Sequence, residues 1–192
     1  MALLLACCVG AALAAPPAGA AERCDGKRAD IVRGDGDNTI FGTKGDDVIV
    51  AGDGDDEVDG RGGEDRICGV DGDDTLFGST DDDDLFGGRG EDDVMGNTGE
   101  DRVEGENGND DLFGQDGDDR VIAGSGNDDL LGGKGEDELE GEAGDDTLFG
   151  GPNVDALLGG RGDDTCEGGS PDTSDPDKGD VARSCETLNG VP

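Results

Sequence analysis

The chain has 192 residues, with 51 Asp or Glu against 14 Lys or Arg, no His, and a formal charge of −37. Its 31 % hydrophobic content, five Phe and 40 Gly, without Trp or Tyr, describe a polymer that cannot bury enough apolar surface to offset its ordering entropy. The charge excludes nucleic-acid partners and adsorption to anionic lipid, and the missing His removes the base of Ser-His-Asp and Cys-His sites and both His of an HExxH zinc site.

Ala2 to Ala15 are almost wholly apolar or small, and Pro16-Pro17-Ala18-Gly19-Ala20-Ala21 follows before the first charges, Glu22 and Arg23. Residues 1–21 therefore read as a secretory signal peptide with cleavage after Ala14 or Ala20. The run is too short to span a bilayer, so no transmembrane segment is expected. No Lys or Arg precedes it, which leaves a translation start upstream of Met1 open. Leu4-Leu5-Ala6-Cys7 resembles a lipoprotein cleavage box, although few residues precede Cys7. Cleavage leaves Cys24, Cys68, Cys166 and Cys185, an even count that reads as two disulfides in an exported chain. Four Cys allow three pairings; Cys24–Cys68 and Cys166–Cys185 are favoured, one toward each end of the mature chain.

Residues 22–32 read as an N-terminal cap: Cys24 to Val32 is a degenerate unit that keeps Ile31 but has Ala29 where later units have Asp. From Arg33 to Glu167 a nine-residue phrase, G-x-x-G-[DEN]-D-x-U-x with U aliphatic, repeats fifteen times without insertion or deletion. Gly fills the first position in twelve copies and the fourth in thirteen; Asp fills the sixth in fourteen. The eighth is Ile, Val or Leu in every copy but the last, which has Cys166. So strict a period makes each copy one unit of a stacked array. Carboxylates repeated at a fixed site in such an array point to a cation. The last three residues of a copy fit a short strand, whose period of two sends the eighth position to the interior and the seventh and ninth outward. The first six form the turn, with Gly at the first and fourth positions permitting positive φ and close backbone approach. Residues 168–192 lose the period, become Ser/Pro/Asp-rich and read as a polar C-terminal cap and tail.

The phrase is similar to the nonapeptide of the RTX (repeats-in-toxin, hemolysin-type calcium-binding) family. The resemblance implies an all-β parallel β-roll, a right-handed β-solenoid with two nonapeptides per coil, so that copies i and i+2 stack. It also implies Ca²⁺ held between stacked turns by turn carbonyls and the sixth-position carboxylates: Asp47, Asp56, Asp65, Asp74, Asp83, Asp92, Asp101, Asp110, Asp119, Asp128, Asp137, Asp146, Asp155 and Asp164. Oxygen ligands of this kind suit Ca²⁺, which tolerates irregular coordination better than Mg²⁺. Roughly a dozen ions would bring −37 to about −13. Binding and folding are then one event, with a Kd of about 10⁻⁴ to 10⁻³ M typical of extracellular modules. Asn38, Asp81 and the stretch Pro152-Asn153-Val154 break the pattern and put their own sites in doubt.

All five Phe stand at the ninth position, and Phe41, Phe77, Phe113 and Phe149 are 36 residues apart. Glu64, Glu100 and Glu136 share that spacing, as do Gly52, Gly88, Gly124 and Gly160, so the duplicated unit is four nonapeptides. The four spaced Phe are expected on one outer face, as a contact strip for a partner, a surface or a second copy. The function expected is that of a secreted or cell-surface calcium-binding β-roll that folds on meeting extracellular Ca²⁺. The alternative is an adhesion or partner-docking module using the Phe strip. An enzyme is not expected, because a catalytic carboxylate pair would be a local exception in a chain where carboxylates recur at every turn.

Overall fold

The computed structural model describes residues 23–169, and adds two strands, Val181–Arg183 and Thr187–Asn189, by their backbone. The described residues contain strands and turns and no helix. Strands of odd-numbered copies pair with one another in parallel, and so do those of even-numbered copies. The result is two nine-stranded parallel sheets facing each other across a thin core, a β-solenoid of two nonapeptides per coil. Sheet I runs from Thr39–Phe41 through the odd copies to Thr187–Asn189; sheet II runs from Ile31–Val32 through the even copies to Val181–Arg183. Register is exact at one coil, 18 residues: Val94 lies beside Leu76 on one side and Leu112 on the other. At about 4.8 Å per strand, each sheet is some 38 Å long.

The eighth-position side chains form the core, every one from Ile40 to Cys166 no more than 2 % exposed. Each meets its own kind above and below, so the roll buries two facing files of aliphatic residues, one from each sheet, along its length.

Strands are longer than three residues. Through most of the roll they have six, as in Thr75–Thr80 or Asp111–Asp116, and run on into the first three positions of the next copy. Only the three-residue type is found at Thr39–Phe41, Glu57–Asp59, Thr147–Phe149, Ala156–Leu158 and Thr165–Glu167. The turn therefore occupies the fourth to sixth positions. The reason is the in-register stack: a coil directly above offers partners to these backbone groups, and pairing continues until the chain must turn.

The longer strand also reassigns the glycines. Alternation carried through the copy boundary turns the first position inward, where Gly78 and Gly96 are buried with ordinary φ. Positive φ falls instead at the second and fourth positions, as at Gly88 (123°) and Gly90 (133°). At the second position several non-glycine residues adopt it as well, among them Val70 at 106° and Gln115 at 85°.

At the N-terminal end, Ile31 continues the core file beside Ile49. The hairpin of Arg23–Cys24 and Lys27–Arg28 lies over the outer face of sheet II rather than across the open end of the core. Cys24 packs there with Val50, Cys68 and Phe86. Cys24 and Cys68 stand at disulfide distance, their Cα atoms 5.6 Å apart. Cys166 is buried; its expected partner Cys185 lies outside the described residues, as does the expected signal peptide.

Candidate metal centre

The sixth position follows the tight turn and precedes the strand, which places its side chain at the margin of the core. All fourteen sixth-position Asp are buried, Asp47 at 8 % exposure and the others at 2 % or less. They form two rows, one along each edge of the roll. In the odd row Asp56, Asp74, Asp92, Asp110, Asp128, Asp146 and Asp164 stack one coil apart; in the even row Asp47, Asp65, Asp83, Asp101, Asp119, Asp137 and Asp155 do. Every carboxylate from Asp56 to Asp164 accepts through Oδ1 the backbone N–H of the sixth residue one coil before it. Asp83 N–H donates to Asp101 Oδ1 at 2.8 Å, and Asp101 N–H to Asp119 Oδ1 at 2.8 Å.

Oδ2 is different. In twelve of the fourteen (Asp56 to Asp146 in sequence order, and Asp164) Oδ2 is buried with no hydrogen-bond donor. A buried carboxylate oxygen left unmatched is costly enough that a native site needs a counter-charge or a proton. What faces it is the space beside the first-position glycine. A Cβ built on Gly78 would stand 2.3 Å from Asp83 Oδ2 and 2.8 Å from the carbonyl oxygen of Gly96 in the next coil. One built on Gly105 would meet Asp110 Oδ2 at 2.3 Å and the Ala123 carbonyl at 2.8 Å. The inward glycine thus lets a carboxylate oxygen and a carbonyl oxygen of the next coil approach its backbone together, in room that a side chain would fill. Ala51 and Ala123 are the two alanines at this position, both buried.

The first copy shows which other oxygens converge. Asn38 stands where later copies have Asp, and its amide Nδ2 donates to the carbonyls of Gly34 (3.2 Å) and Gly36 and to Asp56 Oδ1 (2.9 Å). Two turn carbonyls and the next coil's carboxylate are therefore aimed at one electropositive atom. At Asp47 the neighbouring turn supplies a donor, Thr43 N–H to Oδ2 at 2.6 Å. Asp155 keeps its place in the even row, accepting from Asp137 N–H at 3.0 Å, although Pro152-Asn153-Val154 alters the turn before it.

The electrostatics agree. Burial, opposed by the Oδ1 hydrogen bond and reinforced by Asp65 and Asp101 one coil away on either side, raises the Asp83 carboxyl to about 8. The same causes raise Asp74, Asp110, Asp119 and Asp146 to about 7. Asp65, Asp92, Asp101 and Asp137 rise to about 6, again chiefly through burial. Two ionised carboxylates one coil apart repel by about 3 kcal/mol at an effective dielectric of about 20.

A second ladder runs through the fifth position in the opposite sense. Asp73 Oδ1 accepts from Glu91 N–H of the following coil at 2.9 Å, and Asp118 Oδ1 from Glu136 N–H at 2.9 Å. The phrase records only that this position is Asp, Glu or Asn. Among the described residues no Glu accepts such a bond at the fifth position, its carboxylate being one methylene too far from the backbone.

Among the described residues no three Asp, Glu, His or Cys side chains gather into a compact metal-ligand cluster. Each Asp contributes one carboxylate per turn, so any ion here takes most of its ligands from backbone oxygens. The repeating turn, with one carboxylate and converging carbonyls every nine residues, matches a known profile. The RTX calcium-binding nonapeptide repeat aligns with residues 32–67, 69–103, 95–130, 104–139 and 131–166. The chain belongs to the RTX calcium-binding nonapeptide repeat family. It is a calcium-binding β-roll, and RTX repeats of this kind are typical of secreted or extracellular proteins. A search among curated proteins finds no match. Among the described residues of this RTX chain no helix is long and apolar enough to cross a membrane.

The ninth-position side chains divide between the two outer faces. Phe41, Phe77, Phe113 and Phe149 are on sheet I, as expected from their spacing, while Phe86 is on sheet II beneath the N-terminal hairpin and 5 % exposed. Asp59 separates Phe41 from the rest, and Arg61 lies 4.9 Å over its ring.

Proposed function

We propose that the two rows of sixth-position Asp hold calcium ions, on the order of a dozen, and that the chain folds when extracellular calcium neutralises them. The observation that carries this reading is the repeated Asp Oδ2 that is buried with no donor, close to a backbone carbonyl oxygen of the next coil. The ligand set is Oδ2 of Asp56, Asp65, Asp74, Asp83, Asp92, Asp101, Asp110, Asp119, Asp128, Asp137, Asp146 and Asp164, joined by carbonyls of the second and fourth turn positions. Asp47 and Asp155, at the ends of the even row, belong to the same set with altered surroundings. Calcium when bound supplies two positive charges per site to a stack that otherwise repels itself. The protein's own part is to hold one oxygen of each carboxylate through the coil-to-coil N–H bond, which orients the other and excludes water from it. Asn38 closes the odd row with a neutral amide, a fitting end where no preceding coil supplies oxygens.

The chain is read as non-catalytic: among the described residues carboxylates recur with the coil and no pair stands apart from the pattern. Export with removal of residues 1–21 completes the reading, since millimolar calcium is found outside the cell. Far-UV circular dichroism should show a disordered chain in chelator and β-structure in millimolar calcium. Equilibrium dialysis should find on the order of a dozen ions per chain. A spectrum insensitive to chelator, or a stoichiometry of one or two, would refute the reading.

A further inference from the structure

The two outer faces treat their charges in opposite ways. On sheet II the outward seventh position carries both signs (Arg66, Asp84, Arg102, Arg120, Glu138), and the charges are matched within the face: Arg66 with Asp84, Arg102 with Glu104, and Arg120 with Glu138 at 3.3 Å. Its apolar end, Val50, Cys68 and Phe86, is covered by the hairpin, with Asp25 3.7 Å from Arg66 and 4.0 Å from Arg102. On sheet I the seventh position of the copies carries no cation. Asp93, Asp111 and Asp129 lie on adjacent strands in register, all exposed, and no Lys or Arg pairs with them among the described residues.

Two residues along the same strands runs an apolar column in register: Phe77, Met95, Phe113, Leu131 and Phe149. Four of these are half-buried and Phe149 is 37 % exposed. The far side of the column is neutral, with Asn97 and Gln115 joined through their amides at 3.0 Å. Sheet I thus presents an edge without net charge, where Lys134 pairs with Asp116 at 2.6 Å beyond the amides, an apolar centre and an acid edge.

We propose that this face docks a basic amphipathic helix of a partner protein, lying along the roll with its apolar side on the Phe77–Phe149 column and its Lys or Arg edge on Asp93, Asp111 and Asp129. The column spans four strand spacings, about 19 Å, which is about 13 residues of helix. A helical turn of about 5.4 Å stays near register with strands about 4.8 Å apart over that length. Charge complementarity selects the partner: three stacked carboxylates without a cation repel an acidic occupant and leave a neutral one unmatched. A second copy of the chain is disfavoured, because it brings the same acid column and another formal charge of −37.

The test uses the full chain in millimolar calcium and a fluorescein-labelled 14-residue Leu/Lys helical peptide as probe, followed by anisotropy. A peptide of the same composition, scrambled to abolish its apolar side, measures attraction by bulk charge. The helical peptide should bind at least about tenfold more tightly than the scrambled one. The triple variant Asp93→Asn, Asp111→Asn, Asp129→Asn and the single variant Phe113→Ser should each weaken binding about tenfold. Removing equal charge from sheet II by Glu104→Gln, Glu138→Gln and Glu140→Gln should change it by less than about twofold. Circular dichroism in calcium verifies that each variant is folded. Equal binding of both peptides, or equal losses from the two triple variants, would overturn the proposal. A dimer in sedimentation that Phe113→Ser abolishes would assign the face to a second copy and overturn it too.

Discussion

At Val70 the backbone holds φ at 106°, a region where an L side chain is strained, and the side chain is 38 % exposed and contributes little to the core. The same second position is glycine at Gly52 and Gly88, the register neighbours of Val70 on either side. Strain of this kind costs on the order of 1–3 kcal/mol, offset in part by the greater freedom of unfolded glycine. Val70→Gly should therefore stabilise the calcium-loaded roll by about 1 kcal/mol, read as a higher thermal midpoint. A lower midpoint would mean that the side chain contributes more through contact than its backbone costs.

The turn stack depends on backbone passing close to backbone. A Cβ built on Gly126, at the fourth position, would lie 1.4 Å from the carbonyl oxygen of Gly108 one coil before, with φ at 149°. No rotamer relieves this, since both atoms are fixed by the main chain. Gly126→Ala should cost at least about 3 kcal/mol and part the coils at that level. Urea unfolding in calcium would detect it as a lower midpoint, or as two transitions if the halves come apart independently. Asp81 and Asn153 occupy this position elsewhere with φ of 74° and 90°, the left-handed geometry that Asp and Asn tolerate best.

Over the whole molecule, the raised Asp carboxyls link stability to pH. Nine sixth-position groups titrate at about 6 to 8 in the calcium-free fold, against an ordinary value of 3.8. The fold binds those protons more tightly than the unfolded chain does. Their stabilisation is complete below the ordinary carboxylate range and is lost as pH rises through about 6 to 8. In chelator, acid should thus substitute for the metal: β-structure at about pH 4, fading toward pH 8. Calcium must displace the same protons, so its affinity should fall as pH drops below about 7. Circular dichroism with and without chelator across this range would check both; an acid state as disordered as the neutral one would remove burial of these carboxylates as the obstacle to folding.

Periodicity alone determined the array, the core residues from Ile40 to Leu157, and the Phe41, Phe77, Phe113 and Phe149 row, and the family resemblance added the parallel stack of copies i and i+2. Each is a repeated local choice, and a strict repeat forces every copy into one environment. Strand length was not legible, because extension into the first three positions depends on a neighbour coil that only the stack supplies. For the same reason the first-position glycine was assigned to turn geometry, when its task is to leave room beside Asp Oδ2. The opposed ladders at the fifth and sixth positions and the convergence on Asn38 likewise required the coil above. Tertiary structure alone also decided that sheet II is covered at Phe86 and has its seventh-position charges matched, while sheet I leaves the Asp93, Asp111 and Asp129 column unmatched, since which residues share a face depends on 18-residue register and on where the hairpin folds back.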